Sequence, residues 1–333
     1  MNSALPTYLA SLALRLGRVD ELAQDIAELC FEFARSNPLE LRERRDAGRA
    51  SLLVHSIQTV PPAIGLVFAD AINQLRSTLD NALVLLIEQE RGNSLDSRAE
   101  RAAQFLIYDD EAKYVAAVKR MLPVLPELAV DAPLGRRMFD LQPFRPLELV
   151  RQMKTRRPGA GYGGHHLRVL QEYSNSDKHR RPHVFAVGNA KTRSTTGVAE
   201  VHTEDVSELA VGQQITSTQI GSNEVVEVWP FVGVRRPLSA ELVPPGAELH
   251  ELHRYLAEVA LPRLADLPDG IAFPPQVDLR SLRLSELERA ATAASSYAHD
   301  RLGQRFGMEV LMHDLDALRR GESGVQIPTQ ADE

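Results

Sequence analysis

A single cysteine, Cys30, stands in a chain of 333 residues. That scarcity excludes an internal disulfide and the paired-thiol zinc motifs. Cys30 falls on an apolar helical stripe and reads as a buried core thiol. Long apolar runs are missing too, since none approaches the roughly 20 residues that span a bilayer. The first residues carry no basic cluster, and the apolar stretch near Leu9 is broken by Arg15 and Arg18. No export signal is read, and the cytoplasm is the expected location. Internal repeats and low-complexity segments are also lacking.

Catalytic signatures are equally scarce. There is no Gly-x-Ser-x-Gly elbow and no Gly-x-Gly-x-x-Gly after a strand. Gly159, Gly161, Gly163 and Gly164 precede a helix start, but no Gly-Lys-Ser/Thr ending follows. That excludes a P-loop and leaves a basic, glycine-rich loop. His165, His166, His179 and His183 lie close in sequence, yet adjacent histidines on a helix diverge. No metal site and no cofactor are expected.

What is present is ordinary globular composition, 44% hydrophobic and 25% charged, which argues against widespread disorder. The charge is unevenly spread. Residues 145–183 hold nine basic side chains against three acids, a net +6, which leaves −13 for the rest of a chain whose total is −7. An acidic protein with one concentrated basic segment points to an anionic partner, or to a stretch that neutralises the protein's own acidic surface.

Periodicity predicts an α+β fold: a mainly helical core, a small antiparallel β-sheet and C-terminal helices. Residues 7–36 read as helix, ended by Asn37-Pro38. Residues 39–60 read as a hairpin turning at Asp46-Ala47-Gly48 and joining or flanking the sheet. Residues 63–91 carry a continuous apolar stripe from Ile64 to Ile87, opened by Pro61-Pro62 and stopped by Gly92, and should be central to the core. One or two helices follow at 95–121, then an irregular connection at 122–146 and short helices at 147–155 and 165–173. Three or four strands lie between 184 and 234, and helices at 248–264, 283–303 and 305–320 close the chain. The expected division is 1–235 for the core with hairpin and sheet, 236–320 for a C-terminal helical region, and 321–333 for a frayed tail.

The polar face of the central helix is unusual. Asn73, Arg76, Ser77 and Asp80 recur at helical spacing with Asn81 alongside, and Arg76 and Asp80 are placed to pair. A second constellation, Asp177-Lys178-His179-Arg180, suits capping, ion pairing or phosphate contact.

These motifs resemble those of a family of uncharacterised bacterial proteins. Its helix reads approximately Gly-Asp-x-x-x-x-Leu-Arg-x-x-Leu-Asp-His, against Leu75-Arg76-Ser77-Thr78-Leu79-Asp80-Asn81 here. A Gln-Pro segment and an Asn-x-Asp-Lys-His-Arg motif come later in that family, as Gln142-Pro143 and Asn175-Ser176-Asp177-Lys178-His179-Arg180 do here. The resemblance covers roughly residues 39–235. The family's Arg-x-x-Leu-Asp-His also resembles HEPN-type ribonucleases, where an arginine and a nearby histidine act on RNA across a dimer. This chain has Asn81 where the histidine would stand, and asparagine shuttles no proton near neutral pH. Arg49 and His55 match that spacing literally, but on the hairpin, where chance accounts for them.

Three readings result. The first is a non-catalytic or catalytically degenerate binding protein facing RNA or another polyanion through Arg76, Arg156, Arg157, Lys178, His179, Arg180 and Arg181. The second is a HEPN-like RNA-cleaving enzyme, acting as a homodimer and pairing Arg76 with a histidine such as His179. The third is structural, with Asn73, Arg76, Asp80, Asn81 and Asp177 forming a polar network that holds the sheet-bearing segment on the central helix.

Overall fold

The computed structural model describes residues 5–145, 165–179, 184–194, 202–203, 207–221, 224–239, 241–280, 285, 288–289 and 296–305, with the backbone alone at 177–179, 189–194, 202–203, 207, 224–227 and 229. The helix expected at 147–155, the glycine-rich loop, residues 306–320 and the tail lie outside the described residues.

Helix α1 spans Ala10–Arg35 and buries Leu12, Leu16, Val19 and Ile26 at helical spacing. Strands β1 (Leu39–Asp46) and β2 (Arg49–Ile57) form the expected hairpin. Its two-residue turn places Ala47 and Gly48 at φ 46° and 79°, the paired positive φ that suits a right-twisted hairpin. Helix α2 covers Pro62–Arg91 and ends at Gly92, whose φ of 70° makes it a left-handed cap. Ile64, Phe68, Ile72, Leu75, Leu79, Leu83 and Ile87 are buried, so α2 is central, and α1 packs along it.

Helices α3 (Ser97–Ala102) and α4 (Glu111–Met121) are joined by an extended segment. The connection at 122–146 is more regular than proline spacing implied, with a 3₁₀ turn at Pro126–Leu128 and helix α5 at Pro133–Asp140. Proline at the first helical position starts these elements, since its missing N–H has no helical partner there. Helix α6 runs from His166 to His179, past the expected end at Tyr173. Helix α7 (Pro245–Tyr255) continues through a π-helical turn at Leu256–Ala260 into α8 (Leu261–Leu264). Of the C-terminal helices, residues 298–305 are helical.

Among the described residues there are two antiparallel sheets, the hairpin flanking the expected one rather than joining it. Strands β3 (Val184–Ser194), β4 (His202–Thr203), β5 (Ser207–Glu208), β7 (Glu224–Arg235) and β8 (Leu242–Val243) make one, with β3 paired along the whole of β7. Strand β6 (Gln214–Gln219) leaves its neighbours and pairs with β2, giving a second sheet ordered β1-β2-β6. A lone hairpin has too little buried face to be stable. Ile215 of β6 and Leu209 supply that cover against Val54, with Leu39, Leu41 and Ile57 around them. The Leu209 N–H also donates to Ala186 O at 3.0 Å, so this residue ties the two sheets together.

One hydrophobic cluster draws on α1, α2, α4, α5, α6, α7 and α8. Cys30 packs against it, half-buried rather than interior, and burial pushes its thiol up to about 12. Among the described residues no helix is long and apolar enough to cross a membrane.

Candidate functional site

The segment between α3 and α4 is extended, yet it lies in no sheet, so its backbone groups need other partners. Helix α2 and the turn that follows α5 provide them through side chains. Asp80 Oδ1 accepts from the Phe105 N–H at 2.8 Å, and Arg76 Nη2 donates to the Phe105 carbonyl at 2.7 Å. Arg76 and Asp80, one turn apart on α2, are themselves 3.3 Å apart. From the other side, Gln142 Nε2 donates to Leu106 O at 2.8 Å, and its Oε1 accepts from the Tyr108 N–H at 3.0 Å. These side chains therefore act as strand neighbours would. An aromatic group backs them: Tyr114 meets Phe139 at 5.7 Å and Phe144 at 5.8 Å, edge to face.

The clamp leaves one donor over. Arg76 is 6% exposed, and its Nη1 is buried with no hydrogen-bond partner among the described residues. Burial pulls the guanidinium below its ordinary value while the Asp80 carboxylate opposes that shift. Arginine stays charged regardless, and a buried unpaired donor costs about 1–3 kcal/mol.

Arg76 lines a cleft of about 460 Å³ between the Gln104–Asp109 stretch and α6, with Lys113, Arg168, Gln171, Glu172 and Asn175. Arg168 reaches Asp109 at 2.6 Å and Glu172 at 3.1 Å. Its Nε is buried with no partner among the described residues. Lys113 is exposed at the first turn of α4, which Asp110 caps through the Lys113 N–H at 2.8 Å. The described residues contain no group of three His, Cys, Asp or Glu side chains placed to hold a metal ion.

The expected site residues separate accordingly. Arg76 and Asp80 do meet, but they hold the Phe105 backbone. Asn81 turns back on its own helix, where Nδ2 donates to Ser77 O at 2.7 Å, and Asn73 is half-buried on α2. Asp177, Lys178 and His179 end α6, two to four residues past the cleft-lining Asn175, and their side chains lie outside the described residues. So do Arg156, Arg157, Arg180 and Arg181. Of the basic segment's described members, Arg145 pairs with Asp140 at 3.8 Å and Arg168 with its two acids, so these two charges are partly met at home. Lys113 escaped the sequence reading, as did the clamping role of Gln142. The only signal for the latter was the Gln-Pro pair itself.

A second buried polar group sits under the C-terminal segment. His250 and His253 of α7 contact the Tyr297 ring at 5.1 and 5.2 Å, and His299 stacks on His250 at 4.8 Å. Tyr297 donates to Glu258 at 3.0 Å, while Asp20 of α1 receives the Ala298 N–H at 2.7 Å and Arg301 at 2.6 Å. Burial pushes His250 down to about 4 and His253 to about 3. His165 and His166 likewise serve packing, through the Tyr255 ring at 5.7 and 4.5 Å.

Comparison with protein-family models, curated proteins and solved structures finds no match to this chain.

Proposed function

We propose that this protein is a non-catalytic binding protein for a polyanion, RNA being the ligand its chemistry suits best. The observation that carries the reading is the buried, unpartnered Arg76 Nη1 beside a cleft whose wall, α6, leads directly into the basic stretch Lys178–Arg181. The net +6 of residues 145–183 supports it as well. Arg76 Nη2 is committed to the Phe105 carbonyl, which favours a fixed positioning role over a turnover role. Asn81 at the histidine position of the HEPN-like pattern favours binding over cleavage, because asparagine shuttles no proton near neutral pH. The resemblance to a bacterial family and the near absence of cysteine fit a cytoplasmic setting.

The test is fluorescence anisotropy of a labelled single-stranded RNA at low and at physiological salt. Affinity should fall steeply with salt, as counterion release by phosphate contacts requires. Replacing Arg156, Arg157, Arg180 and Arg181 together with glutamine should abolish binding, and unchanged affinity would sink the proposal. Sedimentation of the same sample reads whether the protein is the homodimer that HEPN-like character implies.

A further inference from the structure

We infer that the cleft between Gln104–Asp109 and α6 binds a phosphate monoester, taking the terminal phosphate of a nucleotide chain. The inference rests on the polyanion-binding reading for the identity of the chain, but on its own residues for the phosphate.

Three cations line one small cleft, and each holds something back. Arg76 Nη1 and Arg168 Nε are both buried N–H donors without an acceptor among the described residues. Lys113 stands exposed beside them, and its side chain borders the same space. Asp109 and Glu172, the acids of the lining, both engage Arg168 and satisfy its charge, but not its Nε–H. The inferred anion, seated among Arg76, Lys113 and Arg168, would supply the acceptor that these two buried donors lack.

A phosphate monoester meets that requirement best. It carries nearly two negative charges at neutral pH and three strong acceptor oxygens. An internal diester has one charge and two free oxygens, and a carboxylate likewise offers two. Guanidinium and ammonium groups are the usual partners of such an anion. A volume of about 460 Å³ falls in the range of small-molecule pockets and is large enough for one nucleotide end. Beyond Asn175, α6 ends in Asp177-Lys178-His179, and in sequence Arg180 and Arg181 follow directly.

The experiment compares one labelled single-stranded RNA in three forms, with a 5′-phosphate, with a 3′-phosphate and with neither. Inorganic phosphate and a nucleoside monophosphate are titrated separately by calorimetry, all with the full-length protein. A terminal phosphate should tighten binding by about tenfold, the scale of one charge-assisted hydrogen bond. Millimolar inorganic phosphate should erase that advantage, and so should Lys113→Gln, which changes an exposed side chain and leaves the fold intact. Arg168→Gln should act in the same direction. Equal affinity for all three RNA forms, with no heat from inorganic phosphate, overturns the inference while leaving polyanion binding standing. The opposite pattern, heat from phosphate and the monophosphate but no RNA binding in any form, upholds the cleft and discards the polyanion reading.

Discussion

Among the described residues two arginines are buried to almost the same depth, Arg236 at 5% exposure and Arg76 at 6%, and they are treated in opposite ways. Arg236, just after β7, commits every nitrogen to the protein. Its Nε and Nη2 take both oxygens of Glu248 at 3.1 and 2.6 Å, and Nη1 takes Glu241. Glu248 lies in the first turn of α7 and is 2% exposed, so the pair bolts the larger sheet to that helix. Arg76 gives Nη2 to a backbone carbonyl and leaves Nη1 over. A closed ion pair is scaffold, complete in itself. An open one leaves a donor uncommitted, and it is on that donor that the proposed binding role rests.

The histidines test that contrast most severely. His250 Nδ1 and His253 Nε2 are also buried without partners among the described residues, so a spare nitrogen alone does not mark a binding site. The difference is that histidine can shed its charge, and burial keeps both neutral. The groups around them, His299, Asp300, Glu251, Arg254 and Tyr297, only modulate that. Because the folded values lie below the ordinary 6.5, the unfolded chain binds more protons across the interval. Stability should be full above about pH 6.5 and should fall as pH drops toward about 4 for His250 and about 3 for His253. At about 1.4 kcal/mol for each pH unit separating the folded from the ordinary value, this is the largest effect expected. Thermal melts from pH 7.5 to 4 check it, and a flat profile would mean that these rings are not buried as described.

Next in size is the closed pair. Glu248→Ala leaves the Arg236 charge buried and should cost about 3–5 kcal/mol in urea unfolding. The double replacement Arg236→Met with Glu248→Leu should recover most of that, since both charges then disappear together. Neither result should alter phosphate binding by protein that remains folded.

The clamp around Phe105 should give smaller losses. Asp80→Ala and Gln142→Ala each orphan buried backbone groups and should cost about 1–3 kcal/mol. Asp80→Asn keeps an acceptor for the Phe105 N–H and should cost less than Asp80→Ala. Equal losses from the two would show that the charge, not the hydrogen bond, holds the segment.

The smallest change concerns neither arginine and serves as a control on the folded state. Ala47 sits at φ 46°, which an alanine side chain resists. Ala47→Asn should stabilise the hairpin by about 1 kcal/mol, read as a raised melting temperature with ligand binding unchanged.

Much of the fold was legible because its signals are local. The stripe from Ile64 to Ile87, Pro62 at the helix start and Gly92 at its end announce α2 in the residues themselves. The turn at Ala47-Gly48 does the same for the hairpin. The pairing of Arg76 with Asp80 was visible too, because residues one turn apart on a helix are neighbours in any context. Their target was not visible. Nothing in the spacing links Asp80 to the Phe105 N–H, since that contact exists only where α2 passes an extended segment lacking a strand beside it. Lys113 was silent, and Arg168 was visible only as one of the basic side chains of residues 145–183; the two line one cleft only because α4 and α6 flank it.

By itself the sequence determined the α+β class, the central helix with both its ends, the hairpin with its turn, and the concentration of positive charge in one segment. Each follows from periodicity, capping or composition, which neighbouring residues settle among themselves. Tertiary structure alone decided that β6 would pair with β2 rather than extend the other sheet, that Arg236 would be closed by Glu248, and that Arg76 would keep one donor uncommitted. Those outcomes depend on which distant surfaces need cover and which distant atoms arrive as partners, and they are settled only when the chain packs as a whole.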